Sequence, residues 1–273
     1  MVQQRVVHDR LRARMSTARE EFASILAPVR HVLLDFDGPI CSIFAGIPAA
    51  EVARRLAELL TGPDGRPPGD ELADPLAMLR HIADVRPELV PAADGALHQL
   101  EVDAVAQARQ TEGAVQFLEA CAATDRQVWL VSNNATAALD RYVDMHQLKA
   151  LVAGCFGRVP GRPQSMKPSP ELLIATLRAA HAEPADSIFI GDAVRDVEAA
   201  HTAGMSAIGY ANKPGKAEAL AAAGAVSVVT RMEVLSDAWS RWRKIGTSLW
   251  RLFRSGYIPV AVLGSLETVS PVV

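Results

Sequence analysis

The chain has 273 residues, of which 49% are apolar and 22% charged, with a formal net charge of −3. This is enough apolar material for one large or two modest cores, and the balance of charge excludes a chain-wide electrostatic footprint for nucleic acid. Three cysteines without metal-ligand spacing predict reduced thiols in a cytoplasmic protein, the N-terminus lacks the apolar stretch of a signal peptide, and no run of about 18 uninterrupted apolar residues predicts a membrane span.

Residues 1–29 predict a helical segment of mixed charge. Partial stripes fall at Val6, Val7, Leu11 and Met15 and at Phe22, Ile25 and Leu26, and Pro28 ends them. Next comes His31-Val32-Leu33-Leu34-Asp35-Phe36-Asp37-Gly38-Pro39. Its apolar run has strand length and no alternation, the pattern of a strand buried on both faces of a parallel sheet. Two carboxylates follow at its carboxyl end, where open α/β sheets place their ligand sites. Gly38 lets the chain leave the strand sharply.

From 43 to 109 the character changes. Val52, Leu56, Leu59 and Leu60 fit one helix face, Leu76, Leu79 and Ile82 a second, and Leu97, Leu100, Ala104 and Ala108 a third. Thr61 to Asp70 is rich in Gly and Pro and predicts a loop. No strand is expected here, and the segment reads as a small all-helical insertion.

From 110 the pattern alternates. Val115, Leu118 and Cys121 mark a helix, and Val128 to Val131 a buried strand ending in Ser132-Asn133-Asn134. A helix carrying Leu139, Tyr142, Val143 and His146 precedes a short strand near Leu151 to Phe156. Leu173, Thr176, Leu177 and Ala180 mark another helix, and Ser187 to Ile190 a strand ending in Gly191-Asp192. The following helix stops at Gly204, and strands at Ala207 to Gly209 and Val226 to Val229 complete the series. Strands alternating with helices predict a doubly wound, Rossmann-like α/β core over 30–42 and 110–235, with helices on both faces of a parallel sheet.

The stretch 236–273 differs in composition. Trp239, Trp242, Ile245, Leu249 and Phe253 lie among Arg241, Arg243, Lys244, Arg251 and Arg254. This predicts a basic amphipathic helix, which fits docking on the core or a second subunit better than an anionic membrane surface, although the basic face leaves the latter open.

Three strands thus end in reactive groups: Asp35 and Asp37, Ser132, and Asp192. Parallel strands bring these ends to one edge of the sheet. Lys167-Pro168 supplies a cation just before a helix, and a helix N-terminus with an ammonium favours an anion. Asp196 follows Asp192 by about one helical turn. Clustered carboxylates need a counter-charge, and oxygen-only ligands beside a phosphate point to Mg²⁺. A carboxylate can then attack phosphorus, and a second acid can protonate the leaving oxygen and activate water.

Asp35-Phe36-Asp37-Gly38, Ser132 after a strand, Lys167-Pro168, and Gly191-Asp192-Ala193-Val194-Arg195-Asp196 together resemble the four motifs of the haloacid dehalogenase-like (HAD) hydrolases, in the family's order, over about residues 30 to 230. The resemblance implies Asp35 as nucleophile and Asp37 as acid/base. It implies Ser132 and Lys167 as phosphoryl ligands; beside them, Asn133 and Asn134 are secondary candidates that either contribute to the site or shape the turn. Asp35, the Asp37 backbone carbonyl and Asp192 would hold Mg²⁺, supported by Asp196. Pro39 departs from the Thr or Val usual there and removes a backbone N–H. The insertion lies where the family places a helical cap, which implies a small phosphorylated metabolite, of the phosphoglycolate or sugar-phosphate type, as substrate. Phosphomutase chemistry on the same scaffold is the alternative. A non-enzymatic scaffold with a partner-binding tail is a third reading, against which the intact acids weigh.

Overall fold

In the computed structural model, which describes residues 25–60 and 73–239, β1 (His31–Leu34) lies inside a six-stranded sheet. It pairs in parallel with β4 (Gln127–Ala135) on one side and β6 (Ser187–Gly191) on the other, Leu34 standing opposite Leu130 and Ile190. The order is β5 (Gly154–Arg158), β4, β1, β6, β7 (Ser206–Tyr210), β8 (Ser227–Val229), with every pairing parallel. Both faces of these strands are covered, which is why their sequences run apolar without alternation.

Successive side chains of a strand point to opposite faces, and the core divides accordingly. Val32, Leu34, Leu130 and Ile190 pack with Phe117 and Leu118 of α4 (Ala114–Ala122) and Leu139 and Tyr142 of α5 (Thr136–Met145). Leu33, Val131 and Phe189 pack on the other face. There they meet Leu173 of α6 (Glu171–Ala180), Val197 of α7 (Val194–Thr202) and Leu220 of α8 (Lys216–Ala222). The predicted doubly wound α/β architecture is therefore present.

A third apolar cluster belongs to the segment between β1 and β4. It joins α1 (Ala49–Ala57), α2 (Pro75–Val85) and α3 (Val90–Ala104) through Val52, Leu56, Leu79, Ile82 and Leu97, with Met166 of the core against them. Asp74 accepts from Leu76 N–H at 2.9 Å and starts α2, with Pro75 in its first turn. The expected absence of strands from this region needs one correction at its margins. β2 (Cys41–Ser42) and β3 (Arg109–Gln110) pair antiparallel and bring the two ends of the insertion together. Two-residue strands are too short to show periodicity. The third stripe also shifts: Val90, Ala93, Asp94, Leu97, Glu101 and Ala104 are the buried positions of α3, while Leu100 is half-buried.

The helical segment expected before residue 25, the loop expected over 61–70 and the basic tail beyond 239 lie outside the described residues. Position 236, the expected start of the tail, falls within a helix over 232–239. Met232, Leu235 and Trp239 of this helix belong to the main core. The Trp239 ring meets Phe117 edge-on at 5.1 Å and the Arg126 guanidinium at 5.4 Å. Among the described residues no helix is long and apolar enough to cross a membrane. Trp239→Ala is expected to cost about 3–5 kcal/mol, read by urea denaturation; a loss below about 1 kcal/mol would show that this helix is not part of the core.

Candidate active site

Asp35 directly follows Leu34, the last residue of β1. Its N–H still donates to the Ile190 carbonyl at 2.8 Å, so the backbone keeps sheet register while the side chain stands past the last pair. Asp35 Oδ1 accepts from Phe36 N–H at 2.8 Å and faces Lys167 Nζ at 2.9 Å. Lys167 is buried, and its ammonium also donates to the Val131 carbonyl at 3.1 Å. It lies 2.8 Å from Asp196 Oδ1, an ion-pair contact without the angle of a directed hydrogen bond.

Two glycines let the remaining acids close in. A methyl group on Gly191 would lie 2.5 Å from Asp196 Cβ, and one on Gly38, whose φ is +110°, 2.6 Å from Asp192 Cγ. Asp196 sits in the first turn of α7 and accepts from Ala193 N–H through Oδ2 at 3.0 Å. One ligand atom each from Asp35, Asp192 and Asp196 lies within 4.8 Å of the others. An all-oxygen donor set of this kind fits a hard divalent cation. Asp192 Oδ2 is additionally steadied by Asn212 Nδ2, donating at 2.9 Å, and by the Lys216 ammonium, both reaching in from beyond β7.

Burial pushes the Asp35 carboxyl up to about 7, against the pull of Lys167 and with Asp196 and Asp192 adding to the rise. Burial alone would lower the Lys167 ammonium, but Asp196 and then Asp35 outweigh it and hold it above its ordinary value. Asp37 stands at the rim, its Oδ1 accepting from Ile43 N–H at 3.0 Å. Surrounding protein pushes its carboxyl up, opposed first by that hydrogen bond. Its side chain is exposed, so solvent screens that rise.

β4 runs on to Ala135, beyond the Val131 end expected from sequence, and its pairing with β5 slips between Val131 and Ala135. Ser132, Asn133 and Asn134 occupy that irregular stretch and are all buried. The Ser132 hydroxyl donates to Asn134 Oδ1 at 3.1 Å. Both ends of the Asn133 carboxamide are taken by Lys167: Oδ1 accepts from its N–H at 2.7 Å and Nδ2 donates to its carbonyl at 3.1 Å. From the insertion, Arg80 donates to the same carbonyl at 2.7 Å, whereas Arg54 and Arg55 pair with acids on the exposed face of α1.

Sequence reasoning missed Asn212 and Lys216, although they follow a parallel strand on the same edge, and it missed Glu101 and Arg158 behind the Ser132 segment. The signal for Glu101 was an acid on the apolar stripe of α3. A cavity of about 460 Å³, lined by Asp94, His98, Thr136 and Arg158 among others, includes none of the clustered acids, so volume alone does not mark the chemistry.

Folded Asp35 keeps its proton to about pH 7, against an ordinary value of 3.8. Stability therefore falls as pH rises between those values. Asn cannot ionise, so metal-free Asp35→Asn is expected to melt a few degrees above wild type at pH 7.5 and equally at pH 4, read by calorimetry. An equal or lower Tm at pH 7.5 would contradict the buried-acid assignment.

No curated protein matches the chain. Among solved structures, a predicted phosphatase from Clostridium acetobutylicum is similar at 17% identity and TM-score 0.59, covering 77% of this chain and 97% of that one. A candidate β-phosphoglucomutase from Bacteroides vulgatus shares 17% identity at TM-score 0.61, covering 83% and 98%. A predicted phosphoglycolate phosphatase from Haemophilus somnus shares 15% at TM-score 0.53, covering 76% and 97%. At these identities the likeness is one of fold. The family model for haloacid dehalogenase-like hydrolases matches residues 29–204, a span that contains Asp35, Ser132, Lys167 and Asp192, and the chain belongs to that family.

Proposed function

We propose that this hydrolase cleaves the phosphate monoester of a small metabolite, with Mg²⁺, through an aspartyl-phosphate on Asp35. The observation that carries the reading is the Asp35 carboxylate at the open end of β1, with Lys167 Nζ 2.9 Å away and Asp192 and Asp196 gathered beside it. In this reading an Asp35 oxygen forms a bond to phosphorus as the ester P–O bond breaks. Asp37, with a carboxyl raised above its ordinary value, gives its proton to the leaving oxygen. As a carboxylate it then takes a proton from the water that attacks the aspartyl-phosphate, which frees Asp35 and inorganic phosphate. Lys167 and the Ser132 hydroxyl hold phosphoryl oxygens, for which the hydroxyl turns away from Asn134. Asp35, the Asp37 backbone carbonyl and Asp192 would hold Mg²⁺, whose charge lets carboxylate and phosphate approach each other, while Asp196 steadies Lys167.

Residues 43–109 act in this reading as a cap over a core formed by 30–42 and 110–235. A helical cap suits a small substrate of the phosphoglycolate or sugar-phosphate type, and the fold shared with structures named as phosphatases supports it. Three free cysteines fit a reducing, cytoplasmic location. A phosphomutase would use the same acids but return the phosphoryl group to a second hydroxyl, releasing no inorganic phosphate.

The test is phosphate release from a panel of phosphorylated metabolites. Asp35→Asn is expected to lower kcat at least ~10³-fold while remaining folded, because an amide can neither attack phosphorus nor leave as a carboxylate. Retention of more than a trace of turnover would overturn the nucleophile assignment. Chelation by EDTA is expected to stop release and added Mg²⁺ to restore it; full activity after exhaustive chelation would remove the metal from the reading.

A further inference from the structure

The slip in β4 leaves Ser132, Asn133 and Asn134 bulged against a single residue, Gly157, of β5. Bulged backbone loses its ladder partners, and here a buried charge cluster supplies them. Arg158, on β5, donates to the Asn133 carbonyl at 2.8 Å, to Asp94 at 2.6 Å and to both Glu101 oxygens at 3.0 and 3.2 Å. Asp94 and Glu101 lie two turns apart on α3 of the insertion. Glu101 also accepts from Ala135 N–H at 2.8 Å and Asn134 Nδ2 at 3.0 Å. Asn134 Oδ1 accepts the Ser132 hydroxyl, and the Asn133 carboxamide clamps the backbone of Lys167.

Three buried charges give little stability compared with apolar side chains of similar volume. What they supply is direction, since the Glu101 oxygens and the Arg158 guanidinium each hold several groups of the β4 bulge and β5 in one arrangement. We infer that Glu101 and Arg158 are positioning residues, through which the insertion helix α3 fixes where the Ser132 side chain and the Lys167 ammonium stand beside a phosphoryl group. The inference rests on the phosphoryl-transfer reading above. It makes α3 and the phosphate-handling end of β4 one mechanical unit, so that the insertion orders the site from behind as well as covering it.

Two variants break the relay at different points. Asn134→Ala removes the side-chain link between Glu101 and Ser132, and leaves the ion pairs and the Asn134 N–H bond to Ser132 Oγ at 3.3 Å whole. Glu101→Gln keeps the shape but turns an N–H₂ toward a donor. In the full-length protein both are expected to weaken binding of inorganic phosphate, measured by titration calorimetry with Mg²⁺ present, at least ~10-fold. The kcat for p-nitrophenyl phosphate should fall in proportion. The Mg²⁺ concentration that half-maximally raises Tm is expected to stay within about twofold of wild type, because Asp35 and Asp192 follow other strands. A merely structural role would shift metal and phosphate binding together. Phosphate affinity within about twofold of wild type in either folded variant, or a parallel loss of Mg²⁺ affinity, overturns the inference. If wild type binds phosphate yet hydrolyses no ester, the proposed function fails while the binding comparison still judges the positioning role.

Discussion

The ammonium of Lys167 is the interaction on which the site depends. Asp35, Asp192 and Asp196 bring three carboxylates to one edge of the sheet, and like charges at that spacing repel by several kcal/mol in a partly desolvated setting. Lys167 answers two of them directly, at 2.9 and 2.8 Å, from a buried position. Lys216 and Asn212 answer the third. Removing Lys167 from such a buried set costs about 3–5 kcal/mol, because it strands the acids without a counter-charge. The arrangement stays poised rather than neutral: burial still dominates at Asp35 and keeps its carboxyl high. A resident divalent cation and an incoming phosphate would rebalance those charges, which is how a cluster costly to hold in an empty site becomes useful in a filled one.

The backbone is arranged to let these groups meet. Gly38 and Gly191 remove the two β-carbons that would collide with Asp192 and Asp196. Asn133 grips Lys167 by its main chain, so the lysine is aimed from both ends. The segment 43–109 is joined to the core by more than its antiparallel ribbon. Arg80 reaches the Lys167 carbonyl, and Asp94 and Glu101 reach Arg158. Each of these contacts ends on a residue that borders the acids or holds one of their neighbours.

What was legible in the sequence followed from two simple constraints. Strands covered on both faces must be apolar throughout, which exposed β1, β4 and β6. Parallel strands share a carboxyl edge, which puts the strand ends at Asp35, Ser132 and Asp192 on one side of the sheet. The rest was hidden for physical reasons. β5 reads Gly-Cys-Phe-Gly-Arg, with Gly154 close against the Trp129 ring and Gly157 against the backbone of the β4 bulge, so it carries little hydrophobic signal and the expected strand starts three residues early. Ion pairs such as Arg158 with Glu101 join residues 57 apart, and no local pattern reports them. Two acids on the apolar stripe of α3, Asp94 and Glu101, are the local trace. Trp239 looked like part of a basic tail because its neighbours in sequence are arginines, whereas its partners in space are Phe117 and Arg126.

The central claim is that Asp35 takes the phosphoryl group. The most direct measurement is a rapid acid quench of the protein turning over a ³²P-labelled ester, followed by peptide mapping. The account predicts label on the peptide containing Asp35, released by hydroxylamine as an acyl phosphate is and absent from Asp35→Asn. Label on another residue, or turnover at a normal rate with no covalent phosphate at any quench time, would contradict it.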